Sequence, residues 1–178
     1  MILSLLKTYS RLLIFAGGLL LGIQVPNFVD QYERRIDAHY REVSANISGF
    51  QTTADLLFSG DMQALIAYYQ QSNDAVFESD AQSIRNIVDR YKRISDERAA
   101  LSGGAIAAAI HIALYADEEF IDETFAQYGY TVPLNLSAIQ WGLALALLLT
   151  IVIDLGLFGC VKCASLLTRK KKDKLGSI

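Results

Sequence analysis

Two uncharged apolar runs, one toward each end of a 178-residue chain, constrain this sequence more than any other feature. The first, "LLIFAGGLLLGIQVPNFV", extends from Leu12 to Val29 and carries no charge. The second, "SAIQWGLALALLLTIVIDLGLFGCV", extends from Ser137 to Val161 and carries only Asp154. A bilayer core of about 30 Å needs about 20 such residues in a helix, so each run is long enough to span. Hydrophobic residues make up 52% of the chain, and they gather at its two ends. The expectation is an all-α membrane protein with two transmembrane helices. An anchor over 1–28 and a second span over 135–162 enclose a helical domain over 29–134, and a basic tail follows over 163–178.

Charge orients this arrangement. Residues 1–25 hold Lys7 and Arg11 and no acid, whereas residues 26–137 hold 17 acids against 8 bases. Beyond them, Lys162, Arg169, Lys170, Lys171, Lys172 and Lys174 face only Asp154 and Asp173. Lysine and arginine beside a span prefer the cytoplasm, so both termini are expected inside and residues 29–134 outside. The exit of the first run, "GIQVPNF", lacks a small-x-small cleavage site, which favours an uncleaved anchor over a signal peptide. The two cysteines, Cys160 and Cys163, fall on the cytoplasmic side, so the exported segment is expected to hold together by packing alone.

Within that segment the apolar positions Val29, Tyr32, Ile36, Tyr40, Val43, Ile47, Phe50, Ala54 and Leu57 follow steps of three and four. They predict one long helix continuing from the first span, with coiled-coil-like spacing. One extra four-step removes the need for strong left-handed supercoiling. Pro26 stands at the join, where it kinks the rod or caps its first turn. "SGD" at 59–61 ends the rod, with Gly60 able to take a positive φ. A short helix "DMQALIAYYQQ" follows. A second long helix is predicted over Ser79–Leu101, with the stripe Ile84, Ile87, Tyr91, Ile94, Leu101 and with Arg98 in register. Ala105–Tyr115 is apolar but too short to span, so it either packs in the domain or lies in the membrane interface. "DEEFIDETFAQYG" places Ile121, Phe125 and Tyr128 on one face, and Ser137 with Gln140 forms a capping box that opens the second span.

The stretches "GIQVPNFVDQYERRIDAHYREVSANISGFQTTAD" (22–55) and "YTVPLNLSAIQWGL" (130–143) resemble the proteobacterial membrane-protein family catalogued as domain of unknown function 2937. The resemblance covers the chain to about Leu157 and leaves out the lysine-rich tail. It implies a bacterial inner membrane and a periplasmic middle domain, and it brings no catalytic residues.

Candidate sites are few. An acid within a span costs about 2.5–3.5 kcal/mol at the bilayer centre and marks a functional position by default. Counting from Ile139 puts Asp154 about one turn inside the cytoplasmic boundary, where Arg11 enters the first span at similar depth, so an Arg11–Asp154 ion pair is expected. Gly18 with Gly22, and Gly142 with Ala146, have the small-xxx-small spacing that lets helix backbones approach, within one chain or between chains. Cys160 and Cys163 lack the further ligands a zinc site needs. Asp117, Glu118, Glu119, Asp122 and Glu123 suit the start of a helix and a solvated face. His39 and His111 read as packing residues. The basic tail suits anionic lipid rather than nucleic acid.

No phosphate loop, nucleophile motif or metal-ligand spacing occurs. The expectation is therefore a non-enzymatic protein without cofactor or metal, embedded in the lipid bilayer, that acts as a self-associating or partner-binding scaffold. It would be a homo-oligomer or a subunit of a membrane complex, because a two-span chain offers little buried area alone. An oligomeric pore using Asp154 is the alternative, and a membrane enzyme a more distant one.

Overall fold

The computed structural model describes the backbone of residues 2–133 and 135–175 and the side chains of residues 5–133 and 135–156. The expectations for Cys160, Cys163 and the side chains of the basic tail lie outside the described residues. Among the described residues six α-helices form: α1 (Ile2–Leu57), α2 (Met62–Gln70), α3 (Ala75–Ala100), α4 (Ala105–Leu114), α5 (Glu118–Ala126) and α6 (Leu136–Leu175). A single 3₁₀ turn, Leu101–Gly103, separates α3 from α4. The fold is all-α, and no strand occurs among the described residues. Both α1 and α6 contain stretches long and apolar enough to cross a membrane. The chain divides into two compact units, Met1–Asn27 with Tyr130–Ile178, and Phe28–Gly129.

In the first unit, the start of α1 meets α6 almost backbone to backbone. A Cβ placed on Gly22 would stand 2.7 Å from both the Gly142 Cα and the Trp141 carbonyl oxygen. One placed on Gly18 would stand 2.9 Å from the Ala146 Cα. The two small-residue pairs thus face each other within one chain. Outside this seam the helices turn Leu12, Leu13, Leu20, Leu21, Leu147, Leu148, Ile151 and Leu155 outward. A continuous apolar exterior of this kind is unfavourable in water and suits lipid. The opening of α6 departs from the sequence reading: Asn135, not Ser137, is the cap, with Oδ1 accepting from the Ala138 amide at 2.7 Å. Asparagine is among the best N-cap residues, and its choice starts the helix at Leu136.

The second unit packs the remainder of α1 against α3, with α2, α4 and α5 completing its core. Val29, Tyr32, Ile36 and Val43 of α1 are buried with Ile94 and Leu101, Ala108 and Ile112 of α4, and Phe120 of α5. A smaller cluster, Ile66, Ala81 and Ile84, joins α2 to α3. Pro26 lies inside α1 rather than at a helix start, so the Gly22 carbonyl loses its usual amide donor. The rod ends through two left-handed residues, Ser59 (φ 52°) and Gly60 (φ 83°), and the Gly60 amide returns to the Ala54 carbonyl at 3.0 Å.

Three details correct the sequence pattern. Helix α3 begins at Ala75, not Ser79, because Asp74 caps it through the Val76 amide. Leu57, at the end of the predicted stripe, is exposed. On α5 the fully buried residues are Phe120 and Thr124, while Ile121 packs partly buried against the same core. Burial of Thr124 costs little because its hydroxyl donates to the Phe120 carbonyl at 2.6 Å. Phe125 and Tyr128 instead meet Phe28, with ring centroids 4.7 and 5.4 Å away.

Because the neighbours of the Gly22 Cβ would be backbone atoms, Gly22→Ala must push the two helices apart. Overpacking of this kind costs about 1–3 kcal/mol. Gly22→Ala is expected to lower thermal stability in detergent, whereas Gly17→Ala, which meets nothing within 4 Å, should not. Circular-dichroism melting of the two variants checks this.

Candidate functional site

The α3 stripe runs Ile94, then Leu101, and the residue that completes its three-four spacing is Glu97, not Arg98. An acid is thereby turned into the core, 9% exposed. A lone buried carboxylate costs several kcal/mol, so it must find donors. Tyr32 of α1 donates its hydroxyl to Glu97 Oε1 at 2.6 Å. His111 Nε2 of α4 lies 2.9 Å from the same oxygen and, protonated there, donates to it. Burial pushes the Tyr32 phenol well above its ordinary range, and the Glu97 bond and charge push it further. Tyr32 therefore stays a neutral donor at any physiological pH. The sequence signal was present, as an acid at a core register position, but Arg98 next to it fits the same stripe nearly as well.

Arg98 turns outward. Its Nε donates to Asp37 Oδ1 at 2.7 Å, and its guanidinium lies 4.6 Å from the Tyr40 ring centre. It borders a cleft of about 560 Å³ between α1 and α3, lined also by Glu33, Asp37, Tyr40 and Tyr91. The Tyr40 and Tyr91 hydroxyls there are 3.3 Å apart. Burial raises the Glu33 carboxyl, and Asp30 and Asp37 add to the shift.

The acids of α5 do not form a merely solvated face. Asp117 caps the helix by accepting from the Glu119 amide, and Arg93 of α3 donates to Asp117 at 3.2 Å and to Glu119 at 2.5 Å. Glu123 accepts from Arg35 at 3.2 Å and from His39 Nε2 at 2.8 Å. On the other side of the ring, His39 Nδ1 lies 3.2 Å from Arg90 Nη2 and 3.7 Å from Glu42 Oε2. His39 and His111 thus have separate partners and do not meet. Among the described residues no group of three His, Cys, Asp or Glu side chains converges to hold a metal. These pairings were invisible in the sequence, because the bases come from helices 24 to 88 residues away.

In the first unit, Arg11 of α1 reaches Asp154 of α6. Its Nε and Nη2 both donate to Asp154 Oδ1, at 2.9 and 2.6 Å. At the other end of this unit, Gln24 and Asn27 each donate to the Thr131 carbonyl at 3.4 Å. Gly18 and Gly22, Gly142 and Ala146 form the seam between these polar ends.

Residues 6–164 match the model of the family described as protein of unknown function (DUF2937). The chain belongs to this family. No curated protein matches it, and no solved structure does. Membership in DUF2937 assigns no reaction and no ligand, so the geometry above is what bears on function.

Two outcomes follow from these pairs. Arg11→Ala and Asp154→Ala should each destabilise the helix pair, and the swap Arg11→Asp with Asp154→Arg should recover part of the loss. A water-exposed pair is worth about 0–1 kcal/mol, so a larger loss, measured by melting in lipid nanodiscs, reports a low-dielectric surrounding. The second outcome concerns pH. His39, then Arg35, holds the Glu123 carboxyl below its ordinary value of 4.5. Its stabilisation is therefore complete above that value and is lost as the pH falls through the folded-state value. The melting-temperature difference between the parent and Glu123→Gln should narrow progressively below pH 4.5.

Proposed function

We propose that this protein is a non-catalytic, two-span protein of the bacterial inner membrane. In this reading its helical domain, residues 29–134, stands in the periplasm as a docking scaffold, within a homo-oligomer or as a subunit of a membrane complex. The charge asymmetry described above supports the orientation. The outward leucines of α1 and α6 support insertion.

The observation that carries the docking role is a run of aromatic rings where α1 gives way to α2 and α3. Phe58 meets Tyr68 at 5.6 Å, Tyr68 meets Tyr69 at 6.4 Å, and Tyr69 meets Phe77 at 5.3 Å between ring centroids. Tyr68 is 66% exposed, and Leu56 and Leu57 at the end of α1 and Val76 at the start of α3 are exposed too. Tyr68, Tyr69 and Phe77 line a cleft of about 340 Å³. Rigid, exposed tyrosines around a small concavity are the residues that carry most binding energy at protein interfaces. A domain with no partner has little reason to keep such a surface uncovered.

The pore reading requires Asp154 to be available to an ion. Its carboxylate is already engaged by Arg11, so no observation favours that reading over docking.

A photo-crosslinking residue at Tyr68, in the full chain expressed in bacterial cells, should give a discrete adduct of higher mass. Phe77→Ala should abolish it, and the same residue at Gln82 should give none. If Tyr68 yields no adduct and the protein extracted in mild detergent is a monomer, the scaffold reading fails.

A further inference from the structure

Helix α4 has two unlike faces. Ala108 and Ile112 are buried in the core, and His111 is held by Glu97. On the other side Ile106 (67% exposed), Ile110 (53%) and Leu114 (67%) stand four residues apart in one line, with Tyr115 exposed at the end. The sequence from Ala99 to Ala116 contains one titratable side chain besides Tyr115, namely His111, and that one points inward. An uncharged apolar ridge of this kind, on a domain whose sequence carries more acids than bases, is best covered by a partner that offers neither charge nor hydrogen bonds.

Position along the chain identifies that partner. Glu97, which holds His111, is also held by Tyr32. Tyr32 follows the last residue of the first apolar run, Val29, by three residues on one unbroken helix, which is about 5 Å of rise. The return of the chain is tied to the same end of the unit, since Phe28 packs on Phe125 and Tyr128 just before the chain leaves it. We propose that the Ile106–Ile110–Leu114 ridge of α4 lies in the lipid interface, its apolar side chains entering the boundary between headgroups and acyl chains. An apolar helix too short to span binds in this way through buried area, and a terminal tyrosine suits the headgroup level. The ridge carries no cation, so insertion is apolar and independent of anionic lipid. This inference rests on the membrane reading of α1 and α6.

The test uses the full-length protein with Cys160→Ser and Cys163→Ser, reconstituted in neutral phosphatidylcholine vesicles. Single spin labels are placed through Ile110→Cys, Leu147→Cys or Gln82→Cys, and collision with oxygen is compared with collision with a polar nickel complex. The ratio of oxygen to nickel accessibility at Ile110 is expected to be several-fold above that at Gln82, approaching that at Leu147, and unchanged when anionic lipid is added. If Leu147 is immersed but Ile110 collides freely with nickel, the interface proposal falls while the membrane reading stands. If neither site is immersed, both fall. If labels at Ile110 are shielded from both reagents and couple magnetically to each other, a second copy covers the ridge and the lipid assignment is overturned.

Discussion

The second unit depends on one carboxylate. Glu97 sits at a core position of α3, and its two donors come from α1 and α4. Without Tyr32 and His111 the acid would face the full cost of burial, which exceeds what a pair of well-packed aliphatic residues gains at the same place. With them, α1, α3 and α4 are tied together at one buried point, in addition to the apolar contacts and the outer polar pairs between α1 and α3. Greasy surfaces alone tolerate sliding, whereas a carboxylate at 2.6 Å from a phenol does not. The arginine and acid pairs on α3 and α5 extend the same logic outward, placing α5 where Phe120 closes the core.

The first unit uses the opposite device. Among the described residues no buried polar group organises its seam; small residues do, by letting two helix backbones come into contact. The polar groups gather at its two ends, Arg11 with Asp154 at one and Gln24 and Asn27 with the Thr131 carbonyl at the other. One chain thus joins a unit specified by shape to a unit specified by hydrogen bonding.

The difference explains what could be read in advance. Helix existence, the long reach of α1 and the small-residue positions are written in local periodicity, and all were legible. Boundaries set by caps were read less well, since Asn135 and Asp74 outcompete neighbours of nearly equal merit. Thr124 and Glu97 were overlooked as core residues because a polar side chain enters a core only if distant partners satisfy it, and those partners are not neighbours in sequence. The acids do open α5 as their sequence position implies, but the partners of Asp117, Glu119 and Glu123 were not legible, because Arg93, Arg35 and His39 reach them only after folding. The aromatic run from Phe58 to Phe77 was likewise hidden, being assembled across a turn rather than along one helix.

Helix α4 illustrates a further effect of the Glu97 anchor. A short apolar peptide that meets a surface usually has to fold as it binds, at a conformational cost of about 1–2 kcal/mol per residue for the backbone. The ten residues of α4 are already helical, and their inner face is already fixed by Ala108, Ile112 and His111. Whatever apolar surface meets Ile106 and Ile110 therefore receives a finished template, and nearly all the area it covers counts toward binding. The buried acid, remote from that ridge in chemistry, helps to set its position through His111.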